Sequence, residues 1–291
     1  MIVPSQTLGT DPLRKDSFFS RHGTPIAANE RTRALEMLSL DTHRAGLRDD
    51  VPRRPSLLEI NDFNRHGHVV IRRAFAPAAV TKLSDALRRL NPPRSADGQP
   101  PSFMWRQSAE VWAFLFDPRL GALAADLLGT SGVRLIHDVL FQKTGREKGT
   151  SWHRDSDFWR FTGRGALTMW IPLQETSAEM ALRYVTGSHL EDRRLLRRFE
   201  KAALSARYRS ARSPLAVGDV AIHHYGTLHS STRYAGSVLR RALAVHVIDA
   251  DARVEAPINL YQKRHNRDCS WDLLTPGDRF TDDIAPPMFQ R

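Results

Sequence analysis

The hydrophobic positions of this 291-residue chain change period once, about 130 residues in. Before that point they recur at helical spacing. Leu57, Leu58, Ile60 and Phe63 fit a short amphipathic helix, and Gly67 then permits a turn into a strand over 68–72 carrying Val69, Val70 and Ile71. Pro77 opens a helix over 77–90 with Val80, Leu83 and Leu87 on one side, stopped by Asn91-Pro92-Pro93. Two more helices are expected over 110–116 and 119–128, separated by Pro118 and ended by Gly129.

From Val133 the pattern is that of strands. The segment 133–143 carries Leu135, Val139, Leu140 and Phe141. In 166–173, Leu167, Met169, Ile171 and Leu173 fall on one face and Thr168 and Trp170 on the other. A short strand over 181–185 ends in the turn Thr186-Gly187-Ser188. Strand character returns over 215–224, around His229, and over 240–248, whereas the last 40 residues read as loop. Helices followed by short strands and turns predict a β-sandwich or barrel with flanking helices, mainly β with an α+β arrangement. No internal repeat is visible. Residues 1–54, with the linker-like Val51-Pro52-Arg53-Arg54-Pro55, read as an N-terminal extension, and 55–291 as one domain. A basic helical insert is expected over 191–212, with Arg193, Arg194, Arg197, Arg198 and Lys201 opposite Leu195, Leu196, Phe199 and Leu204.

Composition narrows the class. Hydrophobic residues make up 41%, enough for a globular core. The single cysteine, Cys269, rules out an internal disulfide framework and a cysteine-rich zinc site, in keeping with a reducing cytoplasm. No run of about 18 apolar residues offers a membrane span, and no signal-peptide pattern opens the chain. The formal net charge of +11 favours anionic partners, yet no zinc finger, RNA-recognition signature or recognition helix accompanies it, so no specific nucleic acid is expected. The expected partner is a small molecule, and the basic insert tilts the choice toward an acidic one.

The candidate chemistry centres on Thr150-Ser151-Trp152-His153-Arg154-Asp155. In an extended strand His153 and Asp155 project from one face, an imidazole nitrogen beside a carboxylate oxygen, which suits a divalent metal of intermediate softness. Downstream lie His223, His224 and His229, then Arg240-Arg241 at the start of an apolar strand. One of these histidines would complete a two-histidine, one-carboxylate triad that leaves iron with open positions. An arginine beside it can grip a carboxylate through two parallel hydrogen bonds, as a chelating 2-oxo dicarboxylate requires.

Five pieces in order resemble the phytanoyl-CoA dioxygenase family of iron(II)- and 2-oxoglutarate-dependent oxygenases. They are Phe63-Asn64-Arg65-His66-Gly67-His68-Val69-Val70, Ser151-Trp152-His153-Arg154-Asp155, Trp170-Ile171-Pro172-Leu173, Val185-Thr186-Gly187-Ser188-His189, and Leu228-His229-Ser230-Ser231 followed by Arg240-Arg241-Ala242. The resemblance covers about 56–248 and implies a double-stranded β-helix (jelly-roll, cupin-like) core. It implies Fe(II) on His153, Asp155 and His229, with 2-oxoglutarate as cosubstrate and O2 as oxidant. Arg240, eleven residues after His229, would clamp the C5 carboxylate, helped by Ser231, with Trp170 lining the pocket. Arg241 would face outward, and His189 would be structural. For substrate contacts, the face His137, Val139, Phe141 and Lys143 competes with Asp138, Leu140 and Gln142, and Phe158 and Trp159 lie just past the metal motif. Glu179-Met180-Ala181-Leu182 and Thr186 depart from the family's usual loop and leave the substrate open.

The implied reaction is oxidation, by default hydroxylation, of a small molecule with release of succinate and CO2. Asp155 argues against halogenation, because halide-transferring relatives lack the carboxylate. A zinc hydrolase or isomerase built on the same three ligands would leave Arg240 and Ser231 unexplained. A non-catalytic cupin-like binding protein is the remaining alternative.

Overall fold

The computed structural model describes residues 52–93, 98–143, 149–191, 210–233 and 239–291. The extension up to residue 51 and nearly all of the basic insert lie outside the described residues. Helix α1 (Leu57–His66) opens on a reciprocal cap: Glu59 N–H donates to the Ser56 hydroxyl, and Ser56 N–H to the Glu59 carboxylate. Of its apolar residues only Phe63 is buried; Leu57 and Leu58 are exposed, against the expected apolar face. Gly67 ends it at φ +77, where a Cβ would also lie 2.3 Å from a His189 ring nitrogen. Helices α2 (Pro77–Leu90), α3 (Ala109–Leu115) and α4 (Pro118–Leu128) follow as the periodicity and prolines predict.

The strands are β1 (His68–Ile71), β2 (Gly132–Lys143), β3 (Phe161–Thr162), β4 (Ala166–Pro172), β5 (Arg183–Val185), β6 (Ser210–Ala211), β7 (Val220–His224), β8 (His229–Ser230), β9 (Arg240–Asp249), β10 (Arg253–Val254) and β11 (Pro287–Gln290). Six form an antiparallel sheet in the order β1-β7-β4-β9-β2-β11, and three form a smaller sheet, β6-β5-β8. The protein is a double-stranded β-helix, mainly sheet with flanking helices.

Alternation decides what each face of the large sheet does. Leu167, Met169 and Ile171 of β4, Val220 and Ile222 of β7, and Leu243, Val245 and Val247 of β9 join the main core, to which α2 and α4 contribute Leu83, Leu87, Leu120 and Leu123. The other face carries Thr168 and Trp170, Ala221 and His223, and Arg240, Ala242, Ala244 and His246. Alanines at the centre of that face leave room for a cavity.

Strand β2 carries a bulge. Leu135 pairs with Val247 but His137 with His246, so Ile136 is the extra residue. The bulge reverses parity: Val133 and Leu135 lie on the helix side before it and Leu140 after it, while Phe141 and Lys143 turn to the cavity. Asp138 therefore sits under the helices, accepting N–H bonds from Met104 and Trp105 (2.9 and 3.4 Å), and burial pushes its carboxyl up to about 7.

The C-terminal region is more ordered than the sequence suggested. Asn259 caps helix α5 (Leu260–Asp268), and β11 pairs antiparallel with the start of β2. Few apolar positions mark α5, which is why periodicity did not reveal it.

Candidate active site

His153 and His229 form an antiparallel bridge, each backbone N–H donating to the other's carbonyl (3.0 and 2.9 Å). This joins the metal motif to the small sheet at β8. The motif is not the continuous strand expected: Asp155 already begins a 3-10 turn over Asp155–Asp157. The tertiary bridge, rather than strand parity, brings the three side chains together. One donor atom from each of His153, Asp155 and His229 lies within 4.8 Å of the others.

Backbone carbonyls set the tautomers of both histidines. His153 Nδ1 donates to the Ser151 carbonyl (2.8 Å) and His229 Nδ1 to the Thr227 carbonyl (3.0 Å), which leaves each Nε2 as an acceptor. His229 Nε2 stands 3.7 Å from Asp155 Oδ1. The other carboxylate oxygen, Oδ2, receives the Thr168 hydroxyl (2.6 Å) and faces His223 Nε2 (3.2 Å). Asp155 thus keeps Oδ1 turned toward His229 while Thr168 and His223 hold Oδ2. Burial works to raise its pKa, but His229, and the contact and charge of His223, outweigh it and hold the carboxyl well below its usual range. Burial, aided by His223, holds His229 well below the usual imidazole range, hence neutral as a metal ligand must be.

Of the competing histidines, His223 lines the cavity as a partner of the carboxylate. His224 accepts the Gly226 N–H and packs on Tyr225, and His189 meets the Asn64 carbonyl.

Arg240 is 3% exposed, and its Nε and Nη1 are buried with no hydrogen-bond partner. Its guanidinium carbon lies 5.3 Å from the centre of the Trp170 ring. Burial lowers its pKa to about 10. A buried guanidinium without an acceptor is costly in a finished protein and fits a missing anion. Lys143 pairs in register with Arg240, and its Nζ reaches Ser231 Oγ (3.3 Å) and Thr150 Oγ1 (3.1 Å). Ser231 Oγ also accepts the Thr150 N–H. Phe141, Lys143, Trp170, Ser231 and Arg240 share one cavity with His153, Asp155, His223 and His229. The donor set therefore fits iron, and the unpartnered arginine fits a dicarboxylate's far end.

A family model for phytanoyl-CoA dioxygenase (PhyH) matches residues 63–242. The chain belongs to the phytanoyl-CoA dioxygenase family. Membership makes it a 2-oxoglutarate-dependent iron enzyme in class, with the His-Asp-His cluster suited to the metal. No curated protein matches in sequence. Among solved structures, the non-heme alpha ketoglutarate dependent carbocyclase SnoK from nogalamycin biosynthesis is 21% identical at TM-score 0.66, covering 80% of this chain and 96% of that one. The epimerase SnoN in complex with Fe3+, alpha ketoglutarate and nogalamycin RO is 22% identical at TM-score 0.65, covering 79% and 97%. EctD from S. alaskensis with 2-oxoglutarate and 5-hydroxyectoine is 22% identical at TM-score 0.63, covering 82% and 89%. These likenesses establish the fold.

Two expected placements differ in this family member. His137 shares its face of β2 with Phe141 and Lys143 but does not line the cavity: it pairs with His246 farther along the strand, where it stacks on that ring (centres 4.5 Å apart) and approaches Cys269. Trp159 is 3% exposed and packs edge-on against His246, part of the core rather than a pocket wall. Arg241 faces away from the cavity as expected and is buried there, its Nη1 donating to Ser84 Oγ of α2 (2.9 Å). Phe158 is half-buried between His153 and Tyr261, at ring distances of 5.9 and 6.4 Å.

Thr168, His246 and Tyr184 were missed. Thr168 and His246 share their strand faces with Trp170 and Arg240, so alternation could have found them. Tyr184 could not be found that way. It stacks on His68 (4.9 Å), and its hydroxyl is buried without a partner.

No helix among the described residues is long and apolar enough to cross a membrane.

Proposed function

We propose that the protein hydroxylates an anionic small molecule, with Fe(II) held by His153, Asp155 and His229 and 2-oxoglutarate anchored through its C5 carboxylate by Arg240. The observation that carries this reading is the buried, unpartnered Arg240 guanidinium in the same cavity as the triad. Iron held there would supply the O2 chemistry that couples decarboxylation of 2-oxoglutarate to substrate oxidation. Trp170 packs beside the arginine and keeps its surroundings dry, while Lys143 and Ser231 supply further donors at that end. Thr168 and His223 orient Asp155.

An anionic substrate is supported by Arg183. Its Nε donates to Ser230 Oγ (3.1 Å) at the cavity wall, and its guanidinium lies over the Trp152 ring (4.7 Å). Burial, and then the charge of Arg212, lower its pKa, so an anion bound there would be stabilised. The carboxylate of Asp155 favours hydroxylation over halide transfer. The one-cysteine composition suits the cytoplasm, where thiols stay reduced.

The test is succinate release from 2-oxoglutarate with Fe(II) and O2 across matched panels of carboxylated or phosphorylated compounds and their neutral analogues. Stimulation confined to the anionic panel supports the substrate class. Absence of succinate under all conditions overturns the oxygenase reading.

A further inference from the structure

Behind the cavity, on the far side of His246, lies a second group of metal-type donors that the reaction does not use. His265 and Cys269 are one helical turn apart at the end of α5, and His137 faces them from β2. Cys269 Sγ is 3.3 Å from His265 Nε2 and 3.9 Å from His137 Nδ1, and the three donor atoms lie within 4.8 Å of one another. Two ligands at Zn–S and Zn–N bond lengths and a tetrahedral angle would stand roughly 3.5 Å apart, which these spacings bracket. The cysteine is 2% exposed and His137 8%. The surroundings are aromatic: the Trp159 and Trp271 rings lie 5.8 and 5.7 Å from His265.

We propose that His137, His265 and Cys269 form a second metal site, for Zn2+, that ties helix α5 to the barrel. The ligand set separates it from the iron site. It has a thiolate and no carboxylate, a softer combination that selects zinc, whereas the site on Asp155 has a carboxylate and no sulfur. Coordination takes three donors from two elements far apart in sequence and leaves one tetrahedral position open, and the thiol gives up its proton to solvent on binding. Neither site borrows a ligand from the other. This inference does not depend on the proposed reaction.

Cobalt reads the difference directly, because only a sulfur ligand gives a thiolate-to-cobalt charge-transfer band. The metal-stripped full chain is titrated with Co2+ alone under anaerobic conditions. The expected result is binding of more than one equivalent, with a thiolate band that survives in Asp155→Ala, disappears in Cys269→Ser, weakens in His265→Gln, and is bleached by stoichiometric Zn2+. Saturation at one equivalent without that band in the unmutated chain overturns the site, whether or not the variants fold. So does a band that persists in Cys269→Ser.

Discussion

Two histidine clusters flank His246. On one side Thr168 Oγ1 joins its Nδ1 (2.9 Å) to Asp155, and through it to His153 and His229. On the other the His246 ring stacks on His137, which meets Cys269. Both clusters are three-residue groups with two buried members and one half-buried histidine. They differ in the third donor and in what surrounds it. The Asp155 group opens into a cavity with an unpaired arginine and further polar residues, as a site needs if it binds a dicarboxylate and a substrate. The Cys269 group is packed among tryptophans and closed by α5. Clustered imidazoles alone thus say little about chemistry. The accompanying donor, and whether space and an anion-binding group adjoin it, separate a turnover site from a structural one.

The largest effect should come from breaking the first cluster. His153→Ala, Asp155→Ala and His229→Ala each remove a ligand, and turnover should fall by at least roughly a thousandfold, measured as succinate release in chains whose melting is unchanged. Full activity of His229→Ala would refute its assignment. Arg240→Ala comes next. Losing one partner of a buried charged contact costs about 3 kcal/mol, so KM for 2-oxoglutarate should rise roughly a hundredfold with little change for the other substrate. An unchanged KM would remove the anion-binding group from the comparison.

Smaller still are the residues that hold Asp155. Thr168→Val and His223→Ala should each lower iron affinity or activity by roughly 10- to 100-fold, less than loss of a ligand. If His223→Ala proves as damaging as His229→Ala, the two exchange roles. The smallest change lies outside both clusters. Hydrogen bonding from Arg53, then the Ser56 cap, hold the Glu59 carboxyl at about 2 against the opposing effect of burial. A depressed carboxyl stabilises the fold above its ordinary value of 4.5, and that contribution is lost as pH falls through about 2. Glu59→Gln should therefore destabilise by no more than about 1 kcal/mol at neutral pH, since the pair is partly solvated, and the difference should vanish near pH 2 by denaturant melts. A constant difference across that range would assign the loss to capping rather than charge.

The sequence by itself determined the helices α1 to α4, the alternation in β4, the strand character of β9, the order of the family motifs and part of the residue set around the cavity. These are local properties: periodicity, proline and glycine punctuation, and side-chain chemistry. It did not determine which face of β2 turns inward, because one extra residue at Ile136 reverses parity and leaves no compositional mark. Nor did it show α5, whose surface is polar. Only the tertiary structure decided that the His153–His229 bridge, and not a continuous strand, gathers the triad, and that Arg241 is buried against α2. It also drew His137 away from the cavity and toward Cys269, 132 residues along the chain. Such contacts depend on where separate elements meet, which a residue's neighbours in sequence do not encode.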